Sequence, residues 1–269
     1  DYEYVRNKYF FLDSFYRDNL PDFRRAALGS QIRPDYVVDP ITLEIYINDF
    51  NIRNDAEMLA REGVAWVDPN GPVVEESGFV ERGTWHRLDP DDDYVLVAGG
   101  GYFILDRNVG EREALAVSYR TMGGQQLGNT RGDTLKLKLI KAQDARPNFP
   151  TWDLEWKNVY QVASSFQRGK KFDSDAIEVQ ILKEVPGREP QASQDGTSYL
   201  QIFGLDDHGQ DPGSPPDRRI DVGYAGLDEW QGMLILPDLT PFDPQHSNYK
   251  DELKDSVPAI YETQLQRDK

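Results

Sequence analysis

The sequence contains no cysteine, which removes disulfides, cysteine-ligated zinc and thiol nucleophiles. That absence suits an exported chain and a reduced cytosolic one equally, so it says nothing of compartment. Basic residues are in deficit: 30 Lys and Arg stand against 47 Asp and Glu, a formal net charge of −17. A phosphate backbone is repelled by such a chain, so the expectation is no nucleic-acid partner. Histidine is scarce, and His86, His208 and His246 are scattered without metal-ligand spacing. No run approaches the roughly 18 apolar residues of a membrane-spanning helix, so the chain is expected not to span a membrane by itself. The opening residues carry no basic-then-apolar targeting pattern, and the expectation is a piece excised from a longer chain. Catalytic signatures are missing as well. There is no His-Glu-x-x-His, no Gly-x-Ser-x-Gly and no Gly-Lys-Ser/Thr phosphate loop.

What is present describes a globular chain. Hydrophobic residues make up 38% and aromatics 12% of the 269 residues, too aromatic for disorder and too polar for a membrane-embedded chain. Tyr4, Lys8, Phe11, Leu12, Phe15, Tyr16 and Asn19 step at three and four, which predicts a helix with an aromatic stripe over the first 28 residues, restarted after Pro21. From Ile41 the period changes to two. Ile41, Leu43, Ile45 and Ile47 fall on one face of a strand, with Thr42, Glu44 and Tyr46 on the other. Further strands are expected at 64–67, 83–88, 94–98, 102–105, 114–121, 134–142, 176–183, 198–205 and 232–236. The glycines at 99–101 read as a turn between two of them. Leu135, Leu137 and Leu139 alternate with Lys136, Lys138 and Lys141, as in an outer-membrane barrel strand, but the strands are too short and their loops too acidic for this piece to be such a barrel.

The expected fold class is mainly β, an antiparallel β-sandwich-like core with an N-terminal aromatic helix. Two prolines within 142–150 suggest a boundary. Residues 1–142 then hold the helix and a first β lobe, and 143–269 a second β-rich lobe with long acidic loops.

One segment offers metal chemistry. Asp206, Asp211, Asp217 and Asp221 recur around a Gly/Pro-rich loop, and calcium takes oxygen ligands from such loops. The competing reading is an acidic loop neutralised by Arg218 and Arg219. No catalytic residue and no cofactor other than calcium is expected. Arg131-Gly-Asp133 reads as a turn. Trp152 and Trp156, four apart, read as buried packing rather than as a sugar platform.

Several ordered stretches resemble the SprA family, very large outer-membrane proteins of the type IX secretion system linked to gliding motility. They are Tyr9-Phe-Phe-Leu12, Tyr16-Arg-Asp-Asn19, Leu43-Glu-Ile-Tyr-Ile-Asn48, Asp93-Tyr94 with Gly101-Tyr102, Ala114-Leu-Ala-Val117 through Tyr119 to Gln126 and Gly128, and Leu137-Lys-Leu-Ile-Lys-Ala142. The sharpest is Pro150-Thr-Trp-Asp-Leu-Glu-Trp-Lys-Asn-Val-Tyr160. Leu205-Asp206 and Gly232-Met-Leu-Ile-Leu-Pro237 before Pro241-Phe242 follow in order. The resemblance implies a non-enzymatic portion of a translocation pore at the outer membrane or cell surface, either an extracellular cap or a periplasmic segment. Its partners would be the rest of the pore chain, a shuttle, a plug and secreted cargo. Two other classes fit the composition: a carbohydrate-binding β-sandwich of a surface protein, using exposed Trp and Tyr, and a glycosidase with two facing carboxylates.

Overall fold

The computed structural model describes residues 3–19, 34–90, 92–97, 99–162, 178–183, 187–194, 196–209, 211, 213–222, 226–229 and 232–236. In chain order the strands begin with β1 (Glu3–Tyr4), β2 (Tyr9–Phe11), β3 (Glu44–Asn48), β4 (Arg61–Trp66) and β5 (Val80–Arg87). They continue with β6 (Tyr94–Val97), β7 (Tyr102–Leu105), β8 (Ala114–Arg120), β9 (Gln126–Leu127) and β10 (Leu135–Lys141). The last are β11 (Val159–Gln161), β12 (Ser193–Gln194), β13 (Thr197–Ser198), β14 (Gly226–Asp228) and β15 (Met233–Ile235). Helices α1 (Ser14–Asp18) and α2 (Tyr199–Ile202) are short. The described residues are mainly β, and the named strands pair antiparallel except β4 with β10. Among them no helix is long and apolar enough to cross a membrane.

The chain divides into two compact units, Arg6–Lys157 and a second made of Asp1–Val5 with Asn158–Lys269. The expected boundary at 142/143 therefore falls inside the first unit. Residues beyond β10 still pack there, as the Trp156 amide shows by donating to the Tyr9 carbonyl at 2.9 Å.

In the first unit the sheet runs β10-β4-β5-β3-β8, and β8 pairs back onto β10. The sheet closes into a five-stranded barrel instead of facing a second sheet as a sandwich would. Closure follows from the antiparallel β8–β10 pair, which joins the two ends and leaves no edge at either strand. Side-chain alternation sends Leu135, Leu137, Leu139, Ala65, Trp85, Tyr46, Ala114 and Ala116 inward as one core cluster. Room for the Trp85 indole comes from Gly63. A Cβ there would lie 2.7 Å from Leu135 Cβ and 2.9 Å from Trp85 Cδ1. The indole N–H donates to the Gly63 carbonyl at 3.3 Å.

The outward residues of β3 and β8, among them Ile45, Ile47, Leu115, Val117 and Tyr119, are buried too. Strands buried on both faces need a second layer. Two contacts reach that outer surface: the Tyr94 hydroxyl donates to the Leu43 carbonyl at 3.2 Å, and Lys138 meets Asp13 at 2.7 Å. Tyr94 belongs to a three-stranded sheet in the order β2-β7-β6.

The aromatic N-terminal segment is the main correction to the helix expected over residues 1–28. Tyr9, Phe10 and Phe11 form β2, all buried and paired with β7, and among the described residues of this segment only Ser14–Asp18 is helical. Three consecutive large aromatics fill both faces of a strand, a placement that outweighs the three-and-four periodicity. Asp13 starts α1 by accepting the Phe15 amide at 2.8 Å. Ile41, expected in a strand, sits in a one-turn 3₁₀ segment Pro40–Thr42 and is 94% exposed. The expected helical stretches 22–28 and 255–269, and the first residues of the strand expected at 176–183, lie outside the described residues.

In the second unit four short strands pair antiparallel in the order β1-β11-β15-β14, and β12 and β13 form a hairpin. The strand expected at 198–205 is a turn of helix, because the Ser198 hydroxyl accepts the Gln201 amide at 3.1 Å and caps α2. Tyr199, Leu200, Phe203, Leu205 and Leu236 pack as this unit's core.

Candidate functional site

The acidic segment after α2 folds as a loop whose two ends are tied by carboxylates. Asp206 is fully buried. Its Oδ1 accepts the Asp217 amide at 3.0 Å and its Oδ2 the Arg218 amide at 3.0 Å, with the Ser198 hydroxyl 3.5 Å away. Asp221, also buried, accepts the Asp207 amide through Oδ2 at 2.8 Å. Its Oδ1 lies 3.5 Å from His208 Nδ1. The backbone reinforces the tie: the Asp221 amide donates to the Leu205 carbonyl at 2.8 Å. Burial pushes both carboxyls above the usual range, and the amides that point at them pull back.

The four aspartates singled out in the sequence are thus divided. Asp206 and Asp221 come together inside the loop, whereas Asp211 and Asp217 are exposed. Asp217 accepts the Arg219 amide at 3.0 Å in a local turn, and the Asp211 carbonyl accepts the Ser214 hydroxyl at 2.7 Å. Among the described residues no three His, Asp or Glu side chains converge as a metal-ion site. Arg218 answers Asp206 with its backbone N–H rather than its guanidinium, and takes a left-handed conformation, φ 67°, at that position. Sequence weighed metal against arginine side chains. The partners found are main-chain donors, a third solution that satisfies a buried carboxylate without a counter-ion.

Ser198, His208, Asp206 and Asp221 supply the residue types of a nucleophilic triad, but their bonds run elsewhere. The Ser198 hydroxyl caps α2 and faces Asp206, while His208 Nδ1 lies 2.6 Å from the Gly209 carbonyl. These contacts brace a loop. Activation of a serine needs its hydroxyl on the imidazole.

Sequence reasoning missed the polar centres of the first unit. Lys138 is buried against Asp13 at 2.7 Å and donates to the Val67 carbonyl at 3.1 Å. Lys141 is buried with its ammonium on the carbonyls of Gly110, Glu111 and Glu113 at 3.0, 3.1 and 2.8 Å. One signal was available for α1: an Asp two residues ahead of Phe15-Tyr16 is a helix N-cap pattern. Three of the four described tryptophans are used internally. Trp66, Trp85 and Trp156 are buried, and the Lys157 ammonium sits 4.3 Å from the Trp152 ring centre.

No protein-family model matches the chain, and no curated protein matches it in sequence.

Proposed function

We propose that the chain is a non-enzymatic portion of a giant outer-membrane translocon of the SprA type, serving type IX protein secretion and gliding motility. One observation carries the reading. Three of the stretches that resemble that family, around Phe11, Tyr102 and Trp156, are far apart in sequence yet meet in one buried aromatic cluster. Phe11 stacks on Trp156 at 4.9 Å between ring centres, Tyr102 meets Trp156 edge-on at 5.1 Å, and the Leu12 amide donates to the Gly101 carbonyl at 2.9 Å. A shared family fold would retain such a core, because each ring there is held by the others. Gly101, at φ 63°, leaves the space in which the Tyr16 ring lies. The partners under this reading are the rest of the pore chain, its shuttle and plug, and the secreted cargo.

The test uses the cell that makes the protein. An epitope tag inserted at the exposed turn 131–133 reports, by antibody access in intact and permeabilised cells, whether this portion is extracellular or periplasmic. Fractionation with the outer membrane and loss of cargo secretion on deleting the chain are the expected results. A chain found wholly in the soluble fraction, with secretion intact after its deletion, ends the proposal.

A further inference from the structure

Residues 49–60 join β3 to β4 and expose most of their apolar side chains. Both strands pair antiparallel with β5, so they point the same way with β5 between them. The connection therefore returns the length of the barrel along its outside, as a strap. Its half-buried positions are Asp49, Asn54, Asp55 and Ala60. Its exposed positions include Phe50, Ile52 at 81%, Met58 at 46% and Leu59 at 82%. Beneath it, on the outer face of β5, the buried His86 imidazole feels Asp49 and Asp55. The large apolar side chains of the strap thus face water, with Asn51, Arg53 and Glu57 exposed among them.

The strap is held rigidly in this state. Asn48, Asp49 and Asn51 each accept the amide two residues on, at 2.8, 3.0 and 3.3 Å. Asn54 donates to Asp49 at 2.7 Å, and the Met58 and Ala60 amides bond to the carbonyls of Asn54 and Asp55 at 2.9 and 2.8 Å. Near either end Phe50 and Leu59 take φ values of 55° and 51°, which bulky residues rarely adopt. Such backbone persists only where its surroundings over-determine it, and it gathers at functional segments.

We propose that the strap 49–60 is a docking element for a protein partner that presents an apolar recess rimmed by Lys and Arg. Pre-ordered apolar side chains bind without the cost of ordering them. The occupant follows from charge. A chain of net charge −17 repels a second copy of itself and any anionic lipid surface, whereas a cationic rim is attracted. This inference stands apart from the translocon reading, since it rests on the strap alone.

The probe is a pair of short fluorescein-labelled amphipathic peptides with one apolar core, flanked by Lys in one and by Glu in the other. Each is titrated into the whole chain by fluorescence anisotropy at physiological salt. The expected result is that the Lys-flanked peptide binds at least about tenfold more tightly. The double variant Ile52→Ser/Leu59→Ser should then lose about tenfold with unchanged thermal unfolding, and Val95→Ser, another exposed apolar site on β6, should lose nothing. Equal binding to wild type and the strap variant means diffuse charge attraction and overturns the proposal. So does a dimer in sedimentation velocity, or partition to phosphatidylglycerol vesicles, that the strap variant abolishes.

Discussion

Lys141 owes its place to one extra residue in β10. Leu139 pairs with Ala116 and Lys141 with Leu115, so Ile140 is a bulge. Without it, alternation from Leu135, Leu137 and Leu139 would point Lys141 into the barrel. With it, the ammonium turns outward onto the carbonyls of Gly110, Glu111 and Glu113 and that of Ala142 at 3.4 Å. Burial draws this ammonium below its ordinary pKa, against the pull of Glu113, Glu155, Asp144 and Glu111. Lys141→Met strips those carbonyls of a charged donor and should cost about 2–3 kcal/mol in urea unfolding. His86 gives a pH signature. Burial holds its imidazole below the ordinary value, against Asp49, so its contribution to stability is complete above the unfolded pKa of about 6.5 and is lost as pH falls through the folded value. Melting of the wild type should therefore fall more steeply between about pH 7 and 5 than melting of His86→Asn. Parallel curves would remove His86 from the account.

At the scale of elements, α1 is fastened to the barrel by a residue with two tasks. Asp13 Oδ1 caps the helix while Oδ2 meets Lys138 on β10. Burial raises the Asp13 carboxyl, but Lys138 and the Phe15 amide more than reverse it, so the net shift is downward. Asp13→Asn keeps the cap and leaves a buried ammonium without its counter-charge. Its cost should fall at the lower end of about 3–5 kcal/mol, because Asp13 keeps part of its surface in water. Lys138→Met in the Asp13→Asn background should restore most of that loss. Additive losses would show that the two residues do not interact. The same elements mark what sequence makes legible. Short alternating runs located most of β3 to β8 and β10 within a few residues, because alternation is a local property. Burial of both faces of β3 was not legible, since the covering layer comes from residues far along the chain. Nor was the identity of β2, where a strand's aromatics happened to fall at helical spacing.

On the scale of the whole molecule, charge and the acidic loop make separate predictions. Exposed carboxylates at a net charge of −17 repel one another, and salt screens them beyond about 10 Å at 0.1 M. Melting temperature should rise from low to molar NaCl. A flat or falling curve would mean that the charges are already compensated within the fold. The loop 205–221 was legible as polar and irregular, but its internal partners were not. Asp206 spends both oxygens on amides 11 and 12 positions away, and no spacing rule names a main-chain donor. With Asp206 and Asp221 so engaged, melting in chelator and in millimolar calcium should coincide, and Asp206→Ala should lower it in both. A calcium-dependent rise that Asp211→Asn abolishes would restore the metal reading.

The parallel pair in the barrel wall also sets a schedule for the barrel's making. Gly63 finds its partner at Leu135, 72 positions later (135 − 63), so β4 leaves the ribosome long before β10 exists. At translation speeds of about 5–20 residues per second that wait is roughly 4–14 s. Pairings this distant are slow to nucleate, because the intervening chain must be ordered before any contact rewards it. Until β10 arrives, β4 and β8 both lack a barrel partner, and Ala65 and Trp85 lie on an open sheet with two unpaired margins. Whatever holds the nascent chain apart from its neighbours during those seconds governs how much native protein each messenger yields.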